Sequence, residues 1–114
     1  MTILSSIAQR IYTTLKSVQS IKNKVFPLVA NEGTAFPFVT FERITYSTER
    51  TKDGYTDGPI QYTINVVSAN YFEGLEIADS IIAAVLRMPE KPDLTNATEA
   101  YTDNGYLQTL TFSF

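Results

Sequence analysis

Between Asn70 and Pro92 the apolar residues recur at helical spacing, and on either side of that stretch the spacing falls to two. Phe72, Leu75, Ala78, Ile82, Val85 and Leu86 form a wide stripe that Ile77 and Ile81 widen further, which predicts a deeply buried helix over Tyr71–Met88. Asn70 with Glu73 three residues on fits a reciprocal cap. Glu73, Glu76 and Asp79 fall early, where the helix dipole favours acids, and Arg87 falls late. Pro89 and Pro92 bracket the exit. A helix this apolar needs a layer to lie on, and the period-two segments around it supply a sheet.

A first helix is expected over Ile3–Ser17, with Thr2 available as its N-cap. Leu4, Ile7, Ala8, Ile11, Tyr12, Leu15 and Val18 take one side of it, and Gln9, Arg10, Thr13, Thr14 and Lys16 the other. Val25–Val29 reads as a short extended piece, after which Asn31-Glu32-Gly33 turns the chain. Phe36–Ser47 reads as a strand in which Pro37 is tolerable only at the start or on an edge. Phe38, Thr40, Glu42, Ile44 and Tyr46 share one side, and Val39, Phe41, Arg43 and Thr45 the other. Neither side is cleanly apolar, which suits a sheet whose second face is partly covered, as by another subunit.

Thr48–Pro59 is polar and punctuated by Asp53-Gly54 and Asp57-Gly58, so it reads as a projecting hairpin loop. Gln61–Ser68 alternates, with Tyr62, Ile64 and Val66 inward and Gln61, Thr63 and Asn65 outward. Ala97–Asp103 leads into Asn104-Gly105, a type I′ turn signal. Tyr106–Phe114 returns with Leu110, Phe112 and Phe114 on one side and Leu107, Thr109, Thr111 and Ser113 on the other. If these last strands neighbour Gln61–Ser68, Thr63 and Asn65 stand beside Thr109, Thr111 and Ser113 on a polar, uncharged face suited to solvent or a wet interface. The sum is one α+β domain over residues 1–114: an antiparallel or mixed sheet of four strands, or five, with two helices packed on it in the order α-β-β-α-β-β.

The chemistry open to the chain is narrow. Its 114 residues contain no His, Cys or Trp but seven Tyr and seven Phe. That removes the usual base near neutral pH, the soft metal ligand and the strongest nucleophile. Carboxylate sites for Mg²⁺ or Ca²⁺ remain, yet Lys52–Gly58 has only Asp53 and Asp57 and lacks a closing bidentate Glu, so a turn is the better reading. Glu73 and Glu76 share a helix edge, which favours solvated surface over a paired-carboxylate site. No nucleophile elbow and no glycine-rich phosphate loop occurs. The expectation is therefore a protein that is no enzyme and has no cofactor or metal. Short apolar runs predict neither a signal peptide nor a spanning helix, and hence no membrane partner.

Net charge is −3, unevenly laid out: seven basic and five acidic residues up to Asp57, two basic and seven acidic after it. Arg10, Lys16, Lys22 and Lys24 all precede the first acid. Such segregation suits complementary faces for head-to-tail self-association, and equally an ordinary solvated surface. Four basic residues without an aromatic-interleaved groove do not make a nucleic-acid footprint. Tyr55 and Tyr71 lie at a loop tip and a helix start, where aromatics often anchor contacts.

The amphipathic first helix, Val25-Phe26-Pro27, Phe36-Pro37-Phe38-Val39-Thr40-Phe41 and Tyr62-Thr63-Ile64-Asn65-Val66-Val67-Ser68 leading into the second helix together resemble the tail-completion or tail-terminator proteins of long-tailed bacteriophages and prophages. A head–tail joining protein of similar size is the neighbouring resemblance, and a non-catalytic peptide or ligand module is the reading outside phages. The resemblance implies a subunit that forms a ring, commonly hexameric, capping the tail tube and meeting the head connector. It implies a place in the virion tail or neck, and in the bacterial cytoplasm before assembly. It points to Thr48–Gly58, with Lys52, Asp53, Tyr55 and Asp57, as a ring contact. Contact between adjacent subunits would then use the basic Arg10, Lys16, Lys22 and Lys24 against the acidic Glu73, Glu76 and Asp79.

Overall fold

A computed structural model describes residues 3–18, 21, 23–30, 34–52, 54–102 and 105–114, of which 3, 48–51 and 55–59 are described as backbone. The elements are α1 (Ile3–Lys16), β1 (Val25–Pro27), β2 (Phe38–Thr51), β3 (Gly54–Ser68), α2 (Tyr71–Leu86), β4 (Asp93–Thr102) and β5 (Gly105–Ser113). They form an α+β fold with a five-stranded sheet in the order β1-β2-β3-β5-β4. The short extended piece is the fifth strand, and it pairs parallel to β2, Val25 against Val39 through Pro27 against Phe41. Every other pairing is antiparallel. Thr2, Lys22, Asn31-Glu32-Gly33, Asp53 and Asn104 lie outside the described residues.

Both helices lie on one face of the sheet. Ile7, Ile11 and Leu15 of α1, with Val18 and Ile21 after it, meet Ile77, Ala78, Ile81 and Val85 of α2 over Val39, Phe41, Ile60, Tyr62, Ile64, Val66, Leu110 and Phe112. The predicted inward sets of β3 and β5 are thus the core side of the sheet. Asn70 caps α2 as expected, its side chain accepting from the Glu73 N–H at 3.1 Å. Close approach at this helix start needs Gly74, because a Cβ there would lie 2.5 Å from the Oγ of the fully buried Ser68.

Three expectations need correcting. Thr48–Pro59 is no loop: β2 and β3 stay paired as far as Thr51 against Gly54, because the polar Thr and Tyr residues there are good strand formers and backbone pairing needs no apolar side chain. Asp57-Gly58 accordingly lies inside β3, at a shift of register. Second, Ile44 is an extra residue in β2, since Arg43 pairs with Tyr62 and Thr45 with Gln61. This bulge reverses the alternation after it, so Tyr46 lies opposite Ile60 and packs against the core rather than siding with Thr40 and Glu42.

Third, the stripe of α2 is rotated. Burial centres on Ile77, Ile81 and Val85, while Phe72 is 71% exposed and Leu86 is also exposed. The physical reason is the width of the helical layer. α2 packs over β3 and β5, so its far flank overhangs β4, whose ten residues are all exposed.

Candidate interaction site

The basic residues expected to act together are used separately. Arg10 forms a salt bridge with Glu90, in the turn after α2, and the two line a groove of about 700 Å³ together with Ser6, Gln9, Thr13, Thr14 and Met88. Burial pushes the Glu90 carboxyl up, but the hydrogen bond from Arg10, a backbone hydrogen bond and the guanidinium charge outweigh it and hold it below the ordinary carboxylate range. Lys16 sits over the Tyr12 ring, 5.1 Å from its centroid. Lys24 reaches the Phe36 carbonyl at 3.4 Å.

The remaining expected residues are equally dispersed. Lys52 is exposed at the end of the β2–β3 ribbon, and Tyr55 and Asp57 occupy β3 positions opposite Arg50 and Thr48. Glu73, Glu76 and Asp79 are exposed on α2. The first two line a shallow groove with Pro37, Ile77 and Ser80, on the side of the helix away from β4. Among the described residues, therefore, no basic member of the set is brought onto an acidic one. Among the described residues no three carboxylates gather as a metal site requires, and no helix is long and apolar enough to cross a membrane.

What the structure does bring together is an aromatic and polar cluster where α2 starts above the β4–β5 hairpin. The Tyr71 ring lies 5.3 Å from Phe72 and 5.7 Å from Tyr106, and Tyr106 lies 4.9 Å from Tyr101. Tyr71 Oη donates to Glu99 Oε2 at 2.8 Å, and Gln108 Nε2 donates to the same oxygen at 3.3 Å. That hydrogen bond first, then burial and the carboxylate charge, raise the Tyr71 phenol above its ordinary value. Sequence reasoning singled out Tyr71 but missed Glu99 and Tyr101. The available signal was strand β4 itself, which carries no Pro, Lys or Arg to guard an edge.

On the face away from the helices the polar row is as expected. Asn65 lies opposite Thr109 and Thr63 opposite Thr111. Thr109 Oγ1 donates to Asn65 Oδ1 at 2.9 Å, and Asn65 Nδ2 reaches Thr40 Oγ1 at 3.5 Å, which ties three strands together without a charge. No protein-family model matches the chain, and no curated protein matches it.

Proposed function

We propose that the chain is a structural subunit of the tail-completion kind, one that self-associates into a ring to end a phage or prophage tail tube and join it to the head connector. The observation that carries this reading is the β2–β3 ribbon. β1 ends opposite Phe41 and β5 opposite Gln61, so among the described residues the pairs from Thr48–Asp57 to Thr51–Gly54 have no third strand beside them. The arm draws the molecule out to 52 × 25 × 25 Å. A lone two-stranded ribbon is marginal in water, and ordering its backbone costs about 1–2 kcal/mol per residue. A neighbouring subunit is the surface that offsets this cost. The same reading assigns the chain no reaction, puts it in the virion tail or neck, and leaves it in the bacterial cytoplasm before assembly.

The test is mass in solution, alone and with purified tail tubes and connectors, for the intact chain and for one shortened by removing 49–56 and closing the ribbon with an Asn-Gly turn. Ring-sized mass that is lost on shortening, with thermal stability kept, supports the reading. A ring that survives shortening, or a monomer under every condition, overturns it. The groove beside Arg10 and Glu90 favours a second reading as a ligand module, in which a monomer binds a small polar ligand there and Arg10→Ala abolishes binding.

A further inference from the structure

We propose that β4 of one copy pairs antiparallel with the outer edge of β2 of the next, in the lane beyond the end of β1, so that the sheet runs on from subunit to subunit. The inference rests on the self-assembly reading and names the surface that would carry it. β4 is the last strand of the sheet, ten residues long, exposed throughout, with Asp93 and Glu99 its only charges. On the opposite margin β1 covers β2 only from Val39 to Phe41, and among the described residues no strand flanks β2 from Glu42 onward.

The backbone directions of the two margins match. Phe114 N–H donates to the Ile60 carbonyl, which fixes the alternation in β5: even positions bond to β3 and odd ones to β4. Asn96, Thr98 and Ala100 therefore bond inward, and the N–H and C=O of Ala97, Glu99 and Tyr101 point to the open margin. In β2, Val39 N–H donates to Lys24 O and Phe41 O accepts from Leu28 N–H, so the next outward position is Arg43. Ala97, Glu99 and Tyr101 lie opposite Leu110, Gln108 and Tyr106, and Arg43 lies opposite Tyr62, so all four are on the helix side. Antiparallel partners must agree in both respects, and these do.

Strand direction selects the partner edge. Successive antiparallel pairings run β2 and β5 one way and β3 and β4 the other. In a ring whose copies all stand the same way up, β4 thus meets the neighbour's β2 antiparallel. The hairpin end of β4 then abuts the end of β1, where Leu28 and Val29 are 65% and 75% exposed, and brings Tyr101, 72% exposed, against them. Glu99 comes within cross-strand or diagonal reach of Arg43 of the next copy. Both intrachain bonds to Glu99 end on Oε2, so Oε1 is open to a guanidinium. Pairing β4 with another β4 would instead gather four acids and no base.

Ala97→Pro tests the edge directly, since it removes an N–H that no intrachain bond uses, and Ala97→Lys is the second variant, keeping the N–H. Sedimentation should show Ala97→Pro weakening self-association by roughly tenfold, the worth of about one net hydrogen bond, and Ala97→Lys weakening it through a charge set on the paired edge, with the melting curve of the dissociated subunit unchanged. Arg43→Glu and Glu99→Lys should each weaken assembly, and the double variant should restore it. The chain has no native cysteine, so Ala97→Cys paired with Arg43→Cys, both on the helix side of the sheet, should give oxidised ladders up to the ring size. Assembly indifferent to the Ala97 variants and to the charge exchange sinks the edge contact but leaves the ring standing. Dimers from Ala97→Cys alone overturn it in favour of β4–β4 pairing. A wild-type chain that is monomeric alone and on tail tubes removes both readings.

Discussion

Gly74→Ala should change sign according to what stands at position 68. In the native chain the new Cβ would lie 2.5 Å from Ser68 Oγ, closer than packed atoms come, while its next neighbours, Ser68 Cβ at 3.6 Å and Gln108 Cγ at 3.8 Å, are ordinary contacts. The hydroxyl must therefore turn away, losing its 2.8 Å bond to the Asn70 carbonyl in a fully buried place. Leaving it unsatisfied costs about 1–3 kcal/mol, against about 1 kcal/mol gained from alanine over glycine inside a helix. The net is a loss of about 1 kcal/mol. In a Ser68→Ala background the hydroxyl is absent, the helix term stands alone, and the same substitution should stabilise by about 1 kcal/mol. The coupling is then about 2 kcal/mol, within the range found for residues in contact. Urea unfolding of the four chains at one fixed protein concentration measures it, because self-association shifts apparent stability. Gly74→Ala stabilising both backgrounds equally, within about 0.5 kcal/mol, would refute the argument that Ser68 is why the first turn of this helix carries a glycine.

Gly105 has φ +114 and a Cβ there would lie 2.6 Å from the Ser68 carbonyl oxygen, whereas Gly54, at φ +127, has open space around it. Gly105→Ala should cost about 2–3 kcal/mol or more and Gly54→Ala only the backbone part, about 1–2 kcal/mol; the shift of the urea midpoint compares them. The Glu90 carboxyl is held low in the fold, so its contribution is present above the unfolded value of about 4.3 and is lost as pH falls through the folded one; Glu90→Gln should flatten the acid limb of a stability–pH curve. The Tyr71 phenol is held high, so its contribution is present below about pH 10 and is lost as pH rises through the folded value; absorbance titration of Glu99→Gln should bring that phenol back toward ordinary tyrosine. Phe72→Ser, on the exposed flank of α2, should move the monomer's stability by no more than about 0.5 kcal/mol in urea.

The parts of the fold legible beforehand are those where one periodicity holds over a whole element. Tyr62, Ile64 and Val66 alternate without interruption, as do Leu110 and Phe112, so the inward side of each strand could be read, and the polar reverse face followed on the condition, met by the structure, that the two strands are neighbours. β2 could not, because inserting Ile44 changes the side on which Tyr46 falls while leaving the composition of the strand ordinary. Nothing in Thr48–Thr51 separates a ribbon from a polar loop either. Both accommodate Thr, Glu and Arg, and pairing there depends on the partner strand rather than on burial.

The stripe of α2 failed more instructively. Period alone puts Phe72 and Ile77 on one broad face, and only the position of the helix over β3 and β5 decides which edge of that face is covered. The candidate surface at the sheet margin carries no charged cluster to mark it. The charges of Arg10 and Glu90 cancel within the chain, whereas β4 attracts notice by what it lacks: no covering layer, no guarding lysine, no proline. An edge left this bare is a hazard to a solitary monomer, inviting uncontrolled pairing, and the hazard ends when a fixed partner occupies it. On the other margin, β2 presents Arg43 just where β1 stops, in the direction and on the face that β4 requires. Two open margins that suit each other on one subunit close into a ring if the turn between copies divides a circle, and run on as a filament if it does not. The bulge at Ile44 and the register shift beyond Tyr46 bend and twist β2 at that margin, so the element that hid the strand's pattern would also set the angle between copies.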